Sequence, residues 1–205
     1  MTQLLWCIRA PKYMNTALAS LIFVAAITPG PNNFIVLQLA LMQDWFAAAR
    51  AIAGILFGGV IMLALAQVGV SALFEQLGVL RVVVLVTGCG YLVWLGCRML
   101  RDSFRAQGDV AAAPPHGVLA LSAFQFVNPK AWILIFTAAA AAQDSEAGRA
   151  SLYAFFVLIP GVCLTAWAAC GRWAHRLLRI PESRARLDRV LAVAMIVFAA
   201  WLPFH

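Results

Sequence analysis

Thr28-Pro29-Gly30-Pro31-Asn32-Asn33 lies near the middle of an otherwise apolar run from about Thr16 to Met42. Proline lacks a backbone donor and glycine relaxes the chain, so a helix laid over this run breaks there. Asn128-Pro129-Lys130 interrupts a second run, from about Gly117 to Ala142, again near its centre. Each interrupted run opens a group of three apolar segments. The intact ones cover about Ala47 to Leu73 and Leu80 to Leu100 in the first group, and about Leu152 to Cys170 and Val190 to Pro203 in the second.

Most of these segments approach the roughly 20 residues needed to cross a bilayer. The last is short and spans only by recruiting flanking residues or thinning the lipid. With 205 residues, 64% hydrophobic and 11% charged, and a mean hydropathy of +0.89, the chain has too little polar surface for a soluble domain, in which about a quarter of residues are charged. The fold class expected is an all-α integral membrane protein. Six transmembrane helices form two three-helix repeats, the first helix of each half broken. An odd number of spans per half makes the second repeat enter the membrane inverted, the sequence signature of many carriers.

Residues 1–13 read as an extra leader, with Met14 as the candidate start. A cleaved signal peptide is disfavoured, because no small-residue cleavage site follows Ala17 to Ile27 and apolarity resumes after Pro31. One transport domain then covers 14–205, with repeat one at about 14–101 and repeat two at about 117–205. The polar stretch from Arg101 to His116, with Gly108 and Pro114-Pro115, joins them.

The net charge of +7 would suggest nucleic acid in a soluble protein, but here the arginines fall between apolar runs. With six spans, one side carries Arg9, Lys12, Arg81 and Arg149. The other carries Arg50, Arg98, Arg101, Arg105, Arg172, Arg176, Arg179, Arg184, Arg186 and Arg189. The richer side is expected in the cytoplasm, with both termini outside. Within 172–189 the arginines mix with Trp173, Leu177, Leu178 and Ile180, a pattern suited to an amphipathic stretch in the interface.

Several residues read as packing. Gly54 and Gly58 have GxxxG spacing, and Gly88, Gly90 and Gly96 form a small-residue stripe beside Tyr91 and Trp94. Pro160-Gly161 predicts a kink, and Gln38 and Gln67 predict bonds between helices. Asp44, Glu75, Asp144 and Glu146 are placed at solvated span ends. Cys7, Cys89, Cys97, Cys163 and Cys170 lack metal-ligand spacing and are read as reduced, so no metal, cofactor or disulfide framework is expected.

Freed backbone groups at mid-depth need partners that lipid cannot supply. Lys130, the one full charge placed deep within a span, costs on the order of 3 kcal/mol there and should face a wet cavity or a partner. Its expected task is to attract a substrate carboxylate or to hold carbonyls at the break. Asn32 and Asn33 begin a half-helix, where free amides and the positive dipole end favour an anion. Gln125 and Asn128 offer donors and acceptors from the other half. The candidate substrate site is therefore Pro29, Gly30, Pro31, Asn32, Asn33, Gln125, Asn128, Pro129 and Lys130. A zwitterionic amino acid suits it, the carboxylate meeting helix N-termini and Lys130 and the ammonium meeting exposed carbonyls. An enzyme is disfavoured: His116, His175 and His205 fall in loops or at the end, and no HExxH or GxSxG pattern occurs. A passive channel is the alternative.

Thr28-Pro29-Gly30-Pro31-Asn32-Asn33, Gly90-Tyr91-Leu92-Val93-Trp94-Leu95-Gly96 before Arg98, and Phe124-Gln125-Phe126-Val127-Asn128-Pro129-Lys130 together resemble the LysE-type, or RhtB, family of amino-acid exporters. The resemblance covers essentially Met14 to the C-terminus. It implies export of amino acids or their derivatives across a bacterial inner membrane, with threonine, homoserine, lysine, arginine and cysteine among the family's substrates. The motif forms look closest to the branch exporting cysteine and O-acetylserine. Many members carry aspartate where this chain has Asn32, so a carboxylate able to carry a proton there is missing. The implied partners are an amino-acid substrate and the lipid bilayer, without nucleic acid; a homo-oligomer is left open.

Overall fold

The computed structural model describes residues 16–70, 78–104, 117–141, 146–177 and 181–201. The leader at 1–13, Cys7, the Pro114-Pro115 connection and His205 lie outside the described residues. What is described is helical. Helix α1 (Thr16–Ile27) and α2 (Pro31–Leu41) meet at a bend of 53°. Then come α3 (Trp45–Leu65), which continues as a π-helical turn Ala66–Val70, and α4 (Gly78–Asp102). Helices α5 (Val118–Val127) and α6 (Pro129–Ala141) meet at 74°, followed by α7 (Glu146–Leu177) and α8 (Pro181–Trp201). Both expected breaks are present, each with a proline as the first residue of the second half-helix. That is the position where proline's missing N–H costs nothing and its fixed φ suits a helix start.

Three described helices are long and apolar enough to cross a bilayer, and counting each bent pair as one span makes five. Helix α8 is the exception. Its 21 residues reach about 30 Å at 1.5 Å per residue, but Glu182, Arg186, Asp188 and Arg189 occupy its first half. This bears on two expectations. No separate interfacial helix covers 172–189: Arg172 to Leu177 finish α7 and Pro181 onward already belongs to α8. The last segment gains its length by taking in that charged stretch. Helix α7 runs through Pro160 as one helix. Proline removes a single donor, the one that would serve Phe156 O, and the helix is assigned on both sides of it.

Small residues set the closest approaches. On α3, a Cβ at Gly54 or Gly58 would strike the α5 backbone at Val118 and Ser122, and Ser122 Oγ donates to Gly54 O at 3.0 Å. Gly171 of α7 lies against Leu37 O of α2, Gly88 of α4 against Val127 O, and Gly96 against Ile196 of α8. Gly90 faces open space instead. Gln67 departs from its expected role: its Nε2 is buried with no hydrogen-bond partner among the described residues. Asp44 caps α3, accepting from Ala47 N at 2.8 Å.

The buried apolar residues divide into two cores. One gathers Phe34 and Leu37 of α2 with Ala51, Leu95, Leu121, Leu164 and Met195. The other gathers Leu18 and Ile22 of α1 with Met62, Trp132, Ile135, Leu152 and Phe156. Helices α3 and α7 contribute to both, whereas each bent pair is divided, with α1 in one core and α2 in the other, α5 in one and α6 in the other. The two breaks thus lie where the cores adjoin, the one level at which polar backbone is freed.

Candidate functional site

At the first break, the carbonyls from Ala25 at the end of α1 to Pro29 lack helix bonds, and side chains take all five. Thr28 Oγ1 donates to Ala25 O (3.0 Å), Asn33 Nδ2 to Ala26 O (3.0 Å) and Thr28 O (2.7 Å), and Trp167 Nε1 to Ile27 O (3.3 Å). Lys130 completes the set from the other half of the chain. Its Nζ donates to Thr28 O (2.8 Å), Thr28 Oγ1 (3.0 Å) and Pro29 O (3.3 Å), and lies 5.7 Å from the centre of the Phe198 ring. An ammonium at the carbonyl end of a helix is favoured by the dipole as well as by these bonds. Gly30 leaves room for the lysine stem, since a Cβ there would come within 2.9 Å of Nζ and 3.2 Å of Cδ.

A second link joins the breaks side by side. Asn32 Nδ2 donates to Gln125 Oε1 (2.9 Å), Gln125 Nε2 returns to Asn32 Oδ1 (3.1 Å), and Asn128 Nδ2 reaches the same oxygen at 3.4 Å. Gln125 and Asn128 are each 1% exposed, a depth at which an unpaired carboxamide would cost about 1–3 kcal/mol. These two were expected to offer groups to a ligand; the structure commits most of them to Asn32, to the Leu121 carbonyl (3.1 Å) and to the start of α6.

The half-helix starts differ. At α6, Asn128 is the N-cap, its Oδ1 accepting from Lys130 N at 3.2 Å and its carbonyl from Ala131 N at 3.0 Å. At α2 the N-cap is Gly30, which has no side-chain oxygen to give. The amides of Asn32 and Asn33 therefore begin α2 without a side-chain cap, at the positive end of a helix.

Beside these groups is a cavity of about 70 Å³, room for on the order of five water molecules. Of the expected site residues, Gly30, Pro31, Asn32, Asn33, Gln125, Asn128 and Lys130 line it. Pro29 and Pro129 do not: Pro29 contributes its carbonyl to Lys130, and Pro129 packs on Gly88. Sequence reasoning missed the apolar wall, supplied by Ala25 and Ala26 of α1, Ile55, Leu56 and Gly59 of α3, Ala131 and Leu134 of α6, and Phe156, Pro160 and Leu164 of α7. No Asp or Glu is among the lining residues. The arrangement offers the open α2 start and a cation held on the carbonyls of the first break, with an uncharged wall beside them.

The sequence profile of the LysE type translocators matches residues 23–204. The threonine efflux protein of Salmonella typhi is 31% identical over 82% of this chain and 82% of its own length. The leucine efflux protein of Klebsiella pneumoniae is 29% identical over 91% and 92%, and the cysteine/O-acetylserine efflux protein of Escherichia coli is 29% identical over 86% and 90%. No match was found among solved structures. With nearly the whole chain covered, the broken helices, the polar junction and the apolar spans belong to a multi-pass membrane protein, and the chain is a member of the LysE-type translocator family.

Proposed function

We propose that this protein is a secondary transporter that exports amino acids or their derivatives across the bacterial inner membrane. The observation that carries this reading is the meeting of the two breaks: Lys130 from one closes the carbonyls of the other beside a cavity sized for a small zwitterion. Similarity to efflux proteins named for threonine, leucine and cysteine/O-acetylserine supports the same substrate class. Identities of 29–31% do not separate the three.

The site comprises Pro29, Gly30, Pro31, Asn32, Asn33, Gln125, Asn128, Pro129 and Lys130, and the two prolines act by shaping the breaks. The carboxylate is received by the uncapped α2 start and Lys130, and the apolar wall takes an uncharged side chain. The repeats at about 14–101 and 117–205 form six spans, with α8 as the sixth and the arginine-rich loops in the cytoplasm. Packing supports two related halves at the level of whole spans. Helix α2 packs on α7, α3 on α5, and α4 on α8; exchanging the halves turns the first pairing of spans into the second and the third into itself.

Export of labelled threonine, leucine and cysteine from cells making the protein, with and without an uncoupler, tests the function. A carrier lowers the internal concentration below equilibrium, and the uncoupler abolishes that gradient. Simple equilibration, insensitive to the uncoupler, would point to a channel instead.

A further inference from the structure

The cavity poses a problem for an incoming ammonium group. No carboxylate lines it. Three of its four carboxamide oxygens are already engaged: Asn32 Oδ1 by Gln125 and Asn128, Gln125 Oε1 by Asn32, and Asn128 Oδ1 by Lys130 N. Asn32 Oδ1 then has no lone pair left and Gln125 Oε1 and Asn128 Oδ1 one each, while an ammonium brings three N–H donors. A place that satisfies three donors is the trio of Thr28 O, Thr28 Oγ1 and Pro29 O, on the exposed side of the first break next to the lining residue Gly30, and Lys130 Nζ fills it at 2.8, 3.0 and 3.3 Å.

We propose that the Thr28–Pro29 oxygens are the binding site for the substrate's α-ammonium, and that Lys130 is a tethered stand-in for that ammonium which the substrate displaces. This rests on the reading of the protein as an amino-acid exporter. A lysine head and an α-ammonium are the same chemical group, so one replaces the other without leaving a carbonyl unpaired. The displaced head, on a flexible four-carbon stem, moves to the carboxylate that arrives with the substrate. Asn33 Nδ2 stays on Thr28 O throughout, because a carbonyl oxygen has two lone pairs.

The exchange explains why both ends of an amino acid are needed. A carboxylic acid without an amine cannot eject Lys130 from the oxygens. An amine without a carboxylate ejects it and leaves two cations close together with one set of acceptors between them, which is unfavourable. Only the zwitterion gives each cation a partner. Selectivity for the amino-acid backbone then comes from one lysine with two alternative partners, leaving the apolar wall to choose among side chains.

The test uses the full-length protein purified in lipid nanodiscs, with methylammonium chloride as the probe and tetramethylammonium chloride, which has no N–H donor, as the ionic control. In Lys130→Ala the oxygens are vacated, so methylammonium should raise the unfolding temperature saturably, while tetramethylammonium should not. In the wild-type protein the oxygens are filled and neither salt should act. Lys130→Met, which keeps the volume of the stem, should behave like Lys130→Ala. Absence of a methylammonium effect in both variants, or an equal effect on the wild type, would overturn the proposal.

A second readout needs no substitution at Lys130. The chain has two lysines, Lys12 and Lys130, so a side-chain ¹⁵N-lysine spectrum holds two ammonium signals, assigned by Lys12→Arg. Binding of threonine, leucine or cysteine should shift the Lys130 signal, and lactate should leave it in place. An amino acid that binds without moving that signal refutes the displacement. If none of the amino acids binds while methylammonium still stabilises Lys130→Ala, the cation site stands and the export reading falls.

Discussion

The two breaks begin alike and end differently. Both place a proline as the first residue of the outgoing half-helix, at Pro31 and at Pro129. The residue before that proline is Asn128 in the second break, whose side chain caps α6 and is buried. In the first break it is Gly30, which caps nothing. The second break is thereby closed on itself and exports its only charge, Lys130, to the first. The first keeps an open helix start and relies on Lys130, Asn33 and Trp167 for its carbonyls. One interruption caps its own outgoing helix, and the other leaves its helix start open.

That contrast can be broken by substitution. The largest effect is expected from Lys130→Ala, which leaves Thr28 O and Pro29 O without their cation and the substrate carboxylate without its partner. Export should fall about 10- to 100-fold, the worth of one hydrogen bond to a charged group, measured at matched membrane abundance. Next comes a swap of cap type. Gly30→Ala puts a Cβ against Lys130 and slows export, and Gly30→Ser adds an oxygen that caps the Asn32 and Asn33 amides. The serine variant should be slower than the alanine one by about fivefold, corresponding to the ~1 kcal/mol of an N-cap. Equal rates would show that the uncapped amides have no part in binding.

The converse change belongs to the other break. Asn128→Ala uncaps α6 and should lower stability in nanodiscs by about 0.5–2 kcal/mol, seen as an earlier thermal transition. The smallest effect lies outside both breaks: Ser122→Ala removes the bond to Gly54 O and should cost about 1 kcal/mol or less, with export unchanged.

Much of this was legible in the sequence because proline, glycine and a lone lysine are conspicuous in apolar runs. Their positions located both interruptions and named Lys130, and the spacing of Gly54 and Gly58 announced a close helix contact. The apolar wall was not legible, since Ile55, Phe156 and Leu164 look like any other membrane-helix residue until the helices are packed. Nor could composition distinguish the two asparagines: Asn128 caps α6 and Asn32 pairs with Gln125 across the breaks, a difference set only by what lies within hydrogen-bond reach. The arginines of 172–189 misled because a helix end and a helix start, read together, mimic one amphipathic helix.

Union of the breaks into one working unit is the claim on which the rest depends, and a double-mutant cycle on export rate tests it most directly. Asn32→Ala and Gln125→Ala each remove half of the carboxamide pair that joins them. For groups that act as a unit, losses do not add: each single variant should slow export by about tenfold, and the double variant by no more than the worse of the two. Losses that multiply in the double variant, as for two independent positions, would contradict the account.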